Sequence, residues 1–451
     1  MKKIIVLLFI FFNILSLGSV EDYTLHSKLQ KDSIKILQEL RVTTLDPIAL
    51  NDIYSKRAFK YIYETLFKID ENGVITPHLA EKYRYLDNKK LYIKLKVGKK
   101  FSDGTLLTTN HIKTSLLRVK EKGALKEFYK NIEQIEILNK QELIIHLKDE
   151  DRLLLNLLSH SMSSIIKEKK GEILGTGNYI VEVFEKDDLI LKNITNPKKK
   201  IIIERVFSPK DRVLSLFNDN SDIVYDISSY DIERERKLQL IDLNKTSIKK
   251  SENIVTSALI FNEKRELEFK KSIEALLHQE APYILPSEIY GENISKLEKN
   301  SNSMKKYLTS LNSKEKKIDL MILNTEEDRK YAQEIKEDLK KAGLNINIMP
   351  YQIDAFYYKL KEKDFDVALQ HIVFNKIYPE ISLGKVILYD IYDKSLYEEL
   401  VNYANKIETE KDRDKKREDF FEMIDEISKK LPYIPLKHEP LYILSNKDIS
   451  I

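Results

Sequence analysis

Short runs in which apolar and polar residues alternate recur along the first half of the chain and predict half-buried β-strands. Apolar residues at helical spacing predict a helix over 53–67, an apolar helix over 152–166, and a helix that Asn110 can cap. The clearest predicted strands lie at 33–40, 91–97, 132–138, 142–147, 189–194 and 201–206. This half is therefore predicted to mix strands and helices.

After residue 317 the pattern changes to strands that alternate with helices. Predicted strands at 318–323, 344–349 and 365–369 enclose predicted helices at 326–342 and 353–362, with Gly343 suited to a helix C-terminus. Such alternation indicates βαβ units on a mainly parallel sheet. A charged helical region follows at 393–430, and the sequence LYILSN at 441–446 predicts a final strand.

The first residues have the pattern of an export signal. Lys2 and Lys3 precede the apolar run 4–15, and Ser16 and Gly18 are small residues at the cleavage positions. We predict a signal peptide over 1–18, with an uncleaved anchor as the alternative. The chain has no cysteine, so it has no disulfide and no thiol to receive a lipid. These features predict a soluble periplasmic protein that is not lipid-anchored, or a secreted one.

Composition and charge exclude some classes of function. Hydrophobic residues make up 42% and charged residues 33% of the 451 residues, which is typical of a folded chain of two or three domains. The balance of 76 Lys and Arg against 72 Asp and Glu argues against a nucleic-acid partner.

Catalytic and metal-binding patterns are missing from the sequence. The eight histidines are scattered, and no two have metal-ligand spacing on one helix face. The GTG at 175–177 is too short for a dinucleotide loop and precedes a strand. The carboxylate clusters at 326–328 and 364–366 are predicted to face solvent or cap helices. We therefore predict no cofactor, no metal site and no enzyme activity, which favours a binding function.

Several segments, in order, resemble the extracytoplasmic solute-binding proteins of ABC importers, in the family 5 class that carries oligopeptides, dipeptides and nickel. The resemblance covers nearly all of the chain after the signal peptide. The matching segments are TLDP (44–47), IYETLFKIDENGVITPHLAEKY (62–83), LYIKLKVGKKFSDGTLLTTNHIKTSL (91–116), GTGNYIVEVF (175–184), LIFN (259–262), KEKDFDVAL (361–369) and LPYIPL (431–436).

The resemblance implies an α/β, two-lobe periplasmic binding protein fold, class II-like, with an extra inserted α/β subdomain and hinge-linked lobes around a ligand cleft. In that scheme the Ser-Asp-Gly turn at 102–104 is a structural signature. Lobe I would comprise 19–47, 171–255 and 432–451, the inserted subdomain 48–170, and lobe II 256–431.

The resemblance also implies ligand-binding positions. An acidic residue that pairs with a peptide ammonium in family members falls on Asn375, which cannot neutralise that charge. The segment that can pair with an extended peptide contains Arg41, Val42 and Thr43, and Arg329 lies near a position for a carboxylate-binding cation. Phe374 and Tyr378 complete the predicted set. The alternatives are that Asn375 and Tyr378 are ordinary loop residues, Arg41 faces solvent and Phe374 belongs to the core.

The implied function is to capture a peptide or another small solute and deliver it to an ABC permease in the inner membrane, as a monomer. The loss of the acidic residue favours N-blocked peptides, anionic ligands or a metal chelate over free-amine peptides. One alternative is a binding-fold protein without a transport role, acting as a sensor or interaction protein. An exported peptidase is a further alternative that the missing catalytic residues disfavour.

Overall fold

The computed structural model describes residues 32–446 except 51, 71–73, 124–125, 152, 238–245, 278–279, 282, 287–306, 309, 376–381, 385, 388–392 and 411. The chain divides into two compact units. Unit 1 runs to Ser251 and resumes at Leu441, and unit 2 is Glu252–Pro440. The signal peptide predicted over 1–18 lies outside the described residues, and the predicted lobe ranges stay predictions.

Unit 1 combines many short strands with five helices among its described residues. Its strands are β1 (Ser33–Gln38), β2 (Phe67–Ile69), β3 (Ile75–Pro77), β4 (Ala80–Asp87), β5 (Lys90–Leu95), β6 (Ile132–Ile137), β7 (Glu142–Leu147), β8 (Lys167–Lys169), β9 (Glu172–Leu174), β10 (Tyr179–Phe184), β11 (Asp188–Asn193), β12 (Lys200–Arg205) and β13 (Ile223–Ile227). Its helices are α1 (Ile53–Ile62), α2 (Thr109–Lys122), α3 (Leu154–Ser159), α4 (Pro209–Phe217) and α5 (Ser229–Lys237).

The main sheet of unit 1 has the strand order β10-β11-β12-β1-β13, and β13 pairs antiparallel with residues 442–445. Strand β1 is parallel to both β12 and β13, so the carboxyl ends of these three strands lie at one edge. On one face of the sheet, Leu37 packs against Val213 and Leu216 of α4. Strand β1 is thus a central strand with buried residues on both of its faces.

A second, four-stranded sheet lies within residues 80–147 and has the order β4-β5-β7-β6. All its pairs are antiparallel, and β6 and β7 form the hairpin expected around Asn139. Helix α2 is capped by Thr108, whose backbone N–H lies 3.1 Å from His111 Nδ1, so the prediction of Asn110 as the cap was wrong.

Two predicted helices end earlier than their apolar pattern indicated. Helix α1 stops at Ile62, because residues 65–66 instead bond to the backbone of 78–80. Helix α3 stops at Ser159, and beyond it the backbone N–H of Ile165 donates to the carbonyl of Glu64. In both cases backbone hydrogen bonds to another segment of the chain override helical periodicity.

Three of the sequence motifs meet at one junction in unit 1. The N–H of Gly177 donates to the carbonyl of Ile62 at the end of α1, and the N–H of Ser102 donates to the carbonyl of Gly175. Asp103 accepts from Lys167 at 2.8 Å and Lys169 at 2.9 Å, and these hydrogen bonds hold the pKa of Asp103 well below its usual range. The Ser-Asp-Gly turn is therefore a structural element, as the resemblance implied.

Unit 2 has the alternating order that the sequence predicted. Its strands are β14 (Thr246–Phe261), which begins in unit 1, β15 (Lys317–Leu323), β16 (Asn345–Tyr351), β17 (Val367–Asn375) and β18 (Tyr433–Asn446), which ends in unit 1. Its described helices are α6 (Leu267–Glu274), α7 (Glu326–Lys340), α8 (Ile353–Lys361), α9 (Lys394–Thr409) and α10 (Arg413–Lys430).

The sheet of unit 2 has the order β14-β17-β15-β16. Strand β15 is parallel to β16 and β17, whereas β14 is antiparallel to β17. Helix α7 covers one face, where Ala332, Ile335 and Leu339 join the core beside Leu320 and Leu369. Gly343 follows α7 with a φ of +80°, the conformation expected of a glycine that ends a helix.

Candidate ligand-binding site

Ligands of open α/β sheets bind at the carboxyl ends of the parallel strands. In unit 1 these ends are Gln38 of β1, Arg205 of β12 and Ile227 of β13. The predicted ligand-binding segment 41–43 follows β1 directly. The fold therefore places this segment at the edge where a ligand is expected.

The three predicted residues of this segment differ in their surroundings. Arg41 is exposed and forms no ion pair with any residue that the structure describes. Val42 is buried. Thr43 is fixed to α1, because its N–H donates to Ser55 Oγ at 3.0 Å and its hydroxyl donates to Asp52 Oδ2 at 2.6 Å. Thr43 is also exposed, but Arg41 is the one of the three whose side-chain polar groups form no hydrogen bond or ion pair with a described residue.

Arg41 and Val42 line a shallow recess in unit 1. The other residues that line it are Gln38, Phe184, Glu185, Asp187, Asp188, Leu189, Ile203 and Arg205. Desolvation raises the pKa of Asp188, and repulsion from neighbouring carboxylates adds to that effect. The recess therefore combines three carboxylates with two arginines, of which Arg205 contacts Asp187 at 3.4 Å.

A buried ion pair lies beside the same strand ends. Arg57 of α1 donates to the two carboxylate oxygens of Asp226 at 2.7 and 2.5 Å, and its guanidinium lies 4.1 Å from the Tyr225 ring centroid. Burial alone would raise the pKa of Asp226, but Arg57 holds that pKa below its usual value. Asp226 also has a φ of +62°, an uncommon conformation for a residue other than glycine.

The sequence did not reveal the Arg57–Asp226 pair. The two residues are 169 positions apart, and neither lies in a recognisable motif. Gln38 joins them, because its side-chain oxygen accepts from Arg57 at 3.3 Å. This group fixes α1 to the carboxyl ends of β1 and β13, and so supports the segment that carries Arg41.

In unit 2 the corresponding edge is the carboxyl end of β15, where α7 begins. Thr325 caps α7 by accepting from the N–H of Asp328 at 3.0 Å, and Asp328 in turn accepts from the N–H of Leu323 at 3.2 Å. Arg329 is exposed, and its Nε and Nη2 both donate to Asn324 Oδ1, at 2.9 and 2.6 Å. Arg329 forms no ion pair with a described residue, so its fixed guanidinium keeps capacity for an anion.

His371 lies at this edge on β17. Its Nε2 is 3.1 Å from Asp328 Oδ1 and its Nδ1 is 3.0 Å from Ser257 Oγ. Burial lowers the pKa of His371, but Asp328 outweighs that effect and raises it to about 9. The sequence analysis placed His371 among the scattered histidines. Its neighbours Gln370 and Ile372 give no local signal of its role.

The remaining predicted residues lie at or beyond the end of β17. Phe374 is fully buried and pairs with Ile254 of β14. Asn375 is the last residue of β17 and pairs with Asn253, but its side chain lies outside the described residues. Tyr378 also lies outside them. The ligand-binding roles of these residues remain predictions.

In the described part of the chain, no three His, Asp or Glu side chains are placed to hold a metal ion. Among the same residues, no helix is both long and apolar enough to cross a membrane.

Residues 74–275 match the family described as bacterial extracellular solute-binding proteins, family 5 Middle. This match spans a little less than half of the chain. Among curated proteins, the chain is similar to the glutathione-binding protein GsiB of Escherichia coli strain K12, with 32% identity over 161 residues. That match covers 33% of the chain and 31% of GsiB, so it spans about a third of the relative's length.

Similarity to solved structures covers almost the full length of the chain. A dipeptide-binding protein from Pseudoalteromonas sp. SM9913, in complex with Met-Leu, has a TM-score of 0.77 at 14% identity, covering 92% of this chain and 96% of its own. NikZ from Campylobacter jejuni, in complex with Ni(L-His), has a TM-score of 0.76 at 17% identity, covering 93% and 95%. These likenesses confirm the predicted α/β, two-lobe periplasmic binding protein fold.

Proposed function

We propose that this chain belongs to family 5 and is the extracytoplasmic solute-binding component of an ABC importer. It captures a peptide or a related small solute and delivers it to a permease in the inner membrane. The observation that carries this proposal is the family match over residues 74–275. The shared fold over more than nine-tenths of the chain supports it.

Peptides are the leading cargo. The exposed arginines Arg41 and Arg329 have no ionic partner among the described residues and suit a solute with a carboxylate. A metal chelate is the second candidate, because NikZ, one of the similar structures, holds a nickel–histidine complex. Asn375 in place of an acidic residue also favours a solute without a free ammonium.

Binding without catalysis is part of the proposal. Ser257, His371 and Asp328 form a hydrogen-bonded row in the order of a serine nucleophile, a base and an acid. Ser257 is 0% exposed, however, so a substrate has no access to its hydroxyl. The row therefore serves the structure of unit 2.

The proposed location is the periplasm, reached through the signal peptide predicted over 1–18. A cysteine-free chain offers no thiol for lipid attachment, which fits a protein that is not lipid-anchored, and we expect it to act as a monomer. Deleting the gene should reduce peptide or chelate uptake by the host. Normal uptake together with a changed signalling response would instead favour the sensor alternative.

A thermal-shift screen tests solute binding and the two arginines together. A random tripeptide pool, its N-acetylated form and Ni²⁺ with histidine are the probes. A solute at a hundred times its Kd adds about 2.7 kcal/mol of stability, so we expect one probe to raise Tm by several degrees. Arg41→Ala and Arg329→Ala should leave the ligand-free Tm unchanged and reduce that rise.

Arg84→Ala is the matched control, because Arg84 is an exposed arginine on β4 that stacks on Tyr92. We expect Arg84→Ala to keep the full ligand-induced rise in Tm. If all three variants responded like the original protein, the assignment of Arg41 and Arg329 to the site would be wrong. If no probe raised Tm, the proposed transport function would lose its support.

A further inference from the structure

His371 joins three elements at the carboxyl end of the unit 2 sheet. It lies on β17, bonds Ser257 of β14 and bonds Asp328 in the first turn of α7. Ser257 and Asp328 are 0% and 3% exposed. The imidazole is therefore held between two buried groups, and a shift of any one element would break a hydrogen bond.

The predicted ligand-binding residues of unit 2 are close along the chain to this point. Arg329 follows Asp328 directly, and Phe374 and Asn375 lie on β17 three and four positions after His371. The position of Arg329 thus depends on the start of α7, and that of Phe374 and Asn375 on β17. His371 is part of β17 and contacts the start of α7.

The charge of His371 has a specific structural consequence. The carboxylate of Asp328 is bonded to the N–H of Leu323 and the hydroxyl of Thr325, which are neutral donors. A protonated His371 adds the positive charge that a buried carboxylate needs. When His371 loses its proton, Asp328 remains buried without that charge, and the start of α7 is destabilised.

The other charged groups near His371 belong to α7 and β18. Glu327 of α7 favours the imidazolium, whereas Lys437 of β18 opposes it. Lys437 is itself 2.7 Å from Glu439 and 3.6 Å from Glu327, so these carboxylates offset its charge. From β14 the facing group is Ser257, which is neutral. Because Glu327 and Lys437 act in opposite directions and Ser257 is neutral, Asp328 is the partner that determines the charge of His371.

We propose that His371 is the positioning residue of the unit 2 ligand-binding edge, and that solute binding requires its imidazolium form. The proposal rests on the proposed solute-binding function. In this role, His371 holds Arg329 and the end of β17 in their binding positions. Solute affinity should therefore fall as pH rises through the titration of His371.

The first test needs no solute. In the full-length protein, NMR is used to follow the imidazole of His371 and the backbone amides of Asp328 and Arg329 between pH 6.5 and 10. We expect the two amides to shift with the same midpoint as the imidazole. In His371→Gln those amide shifts should vanish. Amides that stay fixed while His371 titrates would overturn the proposal.

The second test compares affinities for the random tripeptide pool, measured by the ligand-induced rise in Tm. The Kd of His371→Gln divided by the Kd of the original protein should be about five or more at pH 7. This ratio should approach one at about pH 10. Titration of the peptides affects both proteins equally and cancels in this ratio. A constant ratio would indicate a purely structural role and overturn the proposal.

His146→Gln is the matched control. His146 of β7 in unit 1 also pairs with a carboxylate, Glu136, at 2.8 Å. Its Kd ratio should be one at every pH. If the original protein bound no probe at any pH, the proposed function would fail, and the amide titration would still decide the role of His371.

Discussion

Replacing Gly175 by alanine is expected to destabilise unit 1 by about 3 kcal/mol or more. A Cβ at this position would lie 1.9 Å from the carbonyl oxygen of Ile62 and 2.6 Å from Cδ1 of Tyr63. The first of these atoms is backbone at the end of α1, so it cannot rotate away. Chemical denaturation of the full-length variant, followed by circular dichroism, measures the effect.

Gly98→Ala separates crowding from backbone strain. Gly98 has a φ of +81°, but a Cβ there would have no neighbour within 4 Å. We expect this variant to lose about 1 kcal/mol, the usual penalty for a left-handed residue with a side chain. Equal losses for the two variants would show that the close approach of the GTG segment to α1 is not what requires glycine at 175.

Arg57→Met is expected to destabilise the protein by about 3–5 kcal/mol at neutral pH. The substitution leaves the carboxylate of Asp226, which is 6% exposed, without its charged partner. Methionine keeps much of the length of the arginine side chain, so lost charge dominates over lost volume. Denaturant titration of original and variant proteins at several pH values gives the free energies of unfolding.

The effect should shrink in acid. In the original protein the pKa of Asp226 is lowered, so its stabilisation is present above the unfolded aspartate pKa of about 3.9 and is lost as pH falls further. In Arg57→Met the unpaired carboxylate gains stability by taking up a proton. The difference in stability between the two proteins should therefore decrease towards pH 4.

The double variant Arg57→Met/Asp226→Asn is the control. Asparagine tolerates the positive φ at position 226 and carries no charge that needs a partner. We expect the double variant to be more stable than Arg57→Met alone at pH 7. A double variant as unstable as the sum of both single changes would mean that the ion pair contributes nothing beyond packing.

Much of the local structure could be predicted from the sequence. The alternation around 33–38, 132–147 and 317–323 identified strands within one or two residues of their observed bounds, because burial of one face leaves a clear period of two. The predicted helices at 53–67 and 152–166 were too long. Residues beyond each observed helix end hydrogen-bond to other backbone segments, and periodicity within a window carries no information about such bonds.

Less of the candidate site could be predicted from the sequence. The position of Arg41 at a strand end followed from the resemblance and from the order of the elements. The partners of Arg57, Thr43 and His371 did not, because each contact joins residues from separate elements whose proximity depends on the whole sheet. The neighbours of His371 and Arg57 in the sequence, which include Gln370 and Lys56, do not mark either residue as part of such a contact.

Native mass spectrometry of the mature protein, purified from its own host without refolding, tests the central claim most directly. The account predicts a retained adduct that dissociates as a peptide or as another small solute, including a metal chelate. The mass of the released species would identify the cargo. A protein that carries no adduct, and whose Tm no probe raises, would contradict the assignment as a solute-binding component.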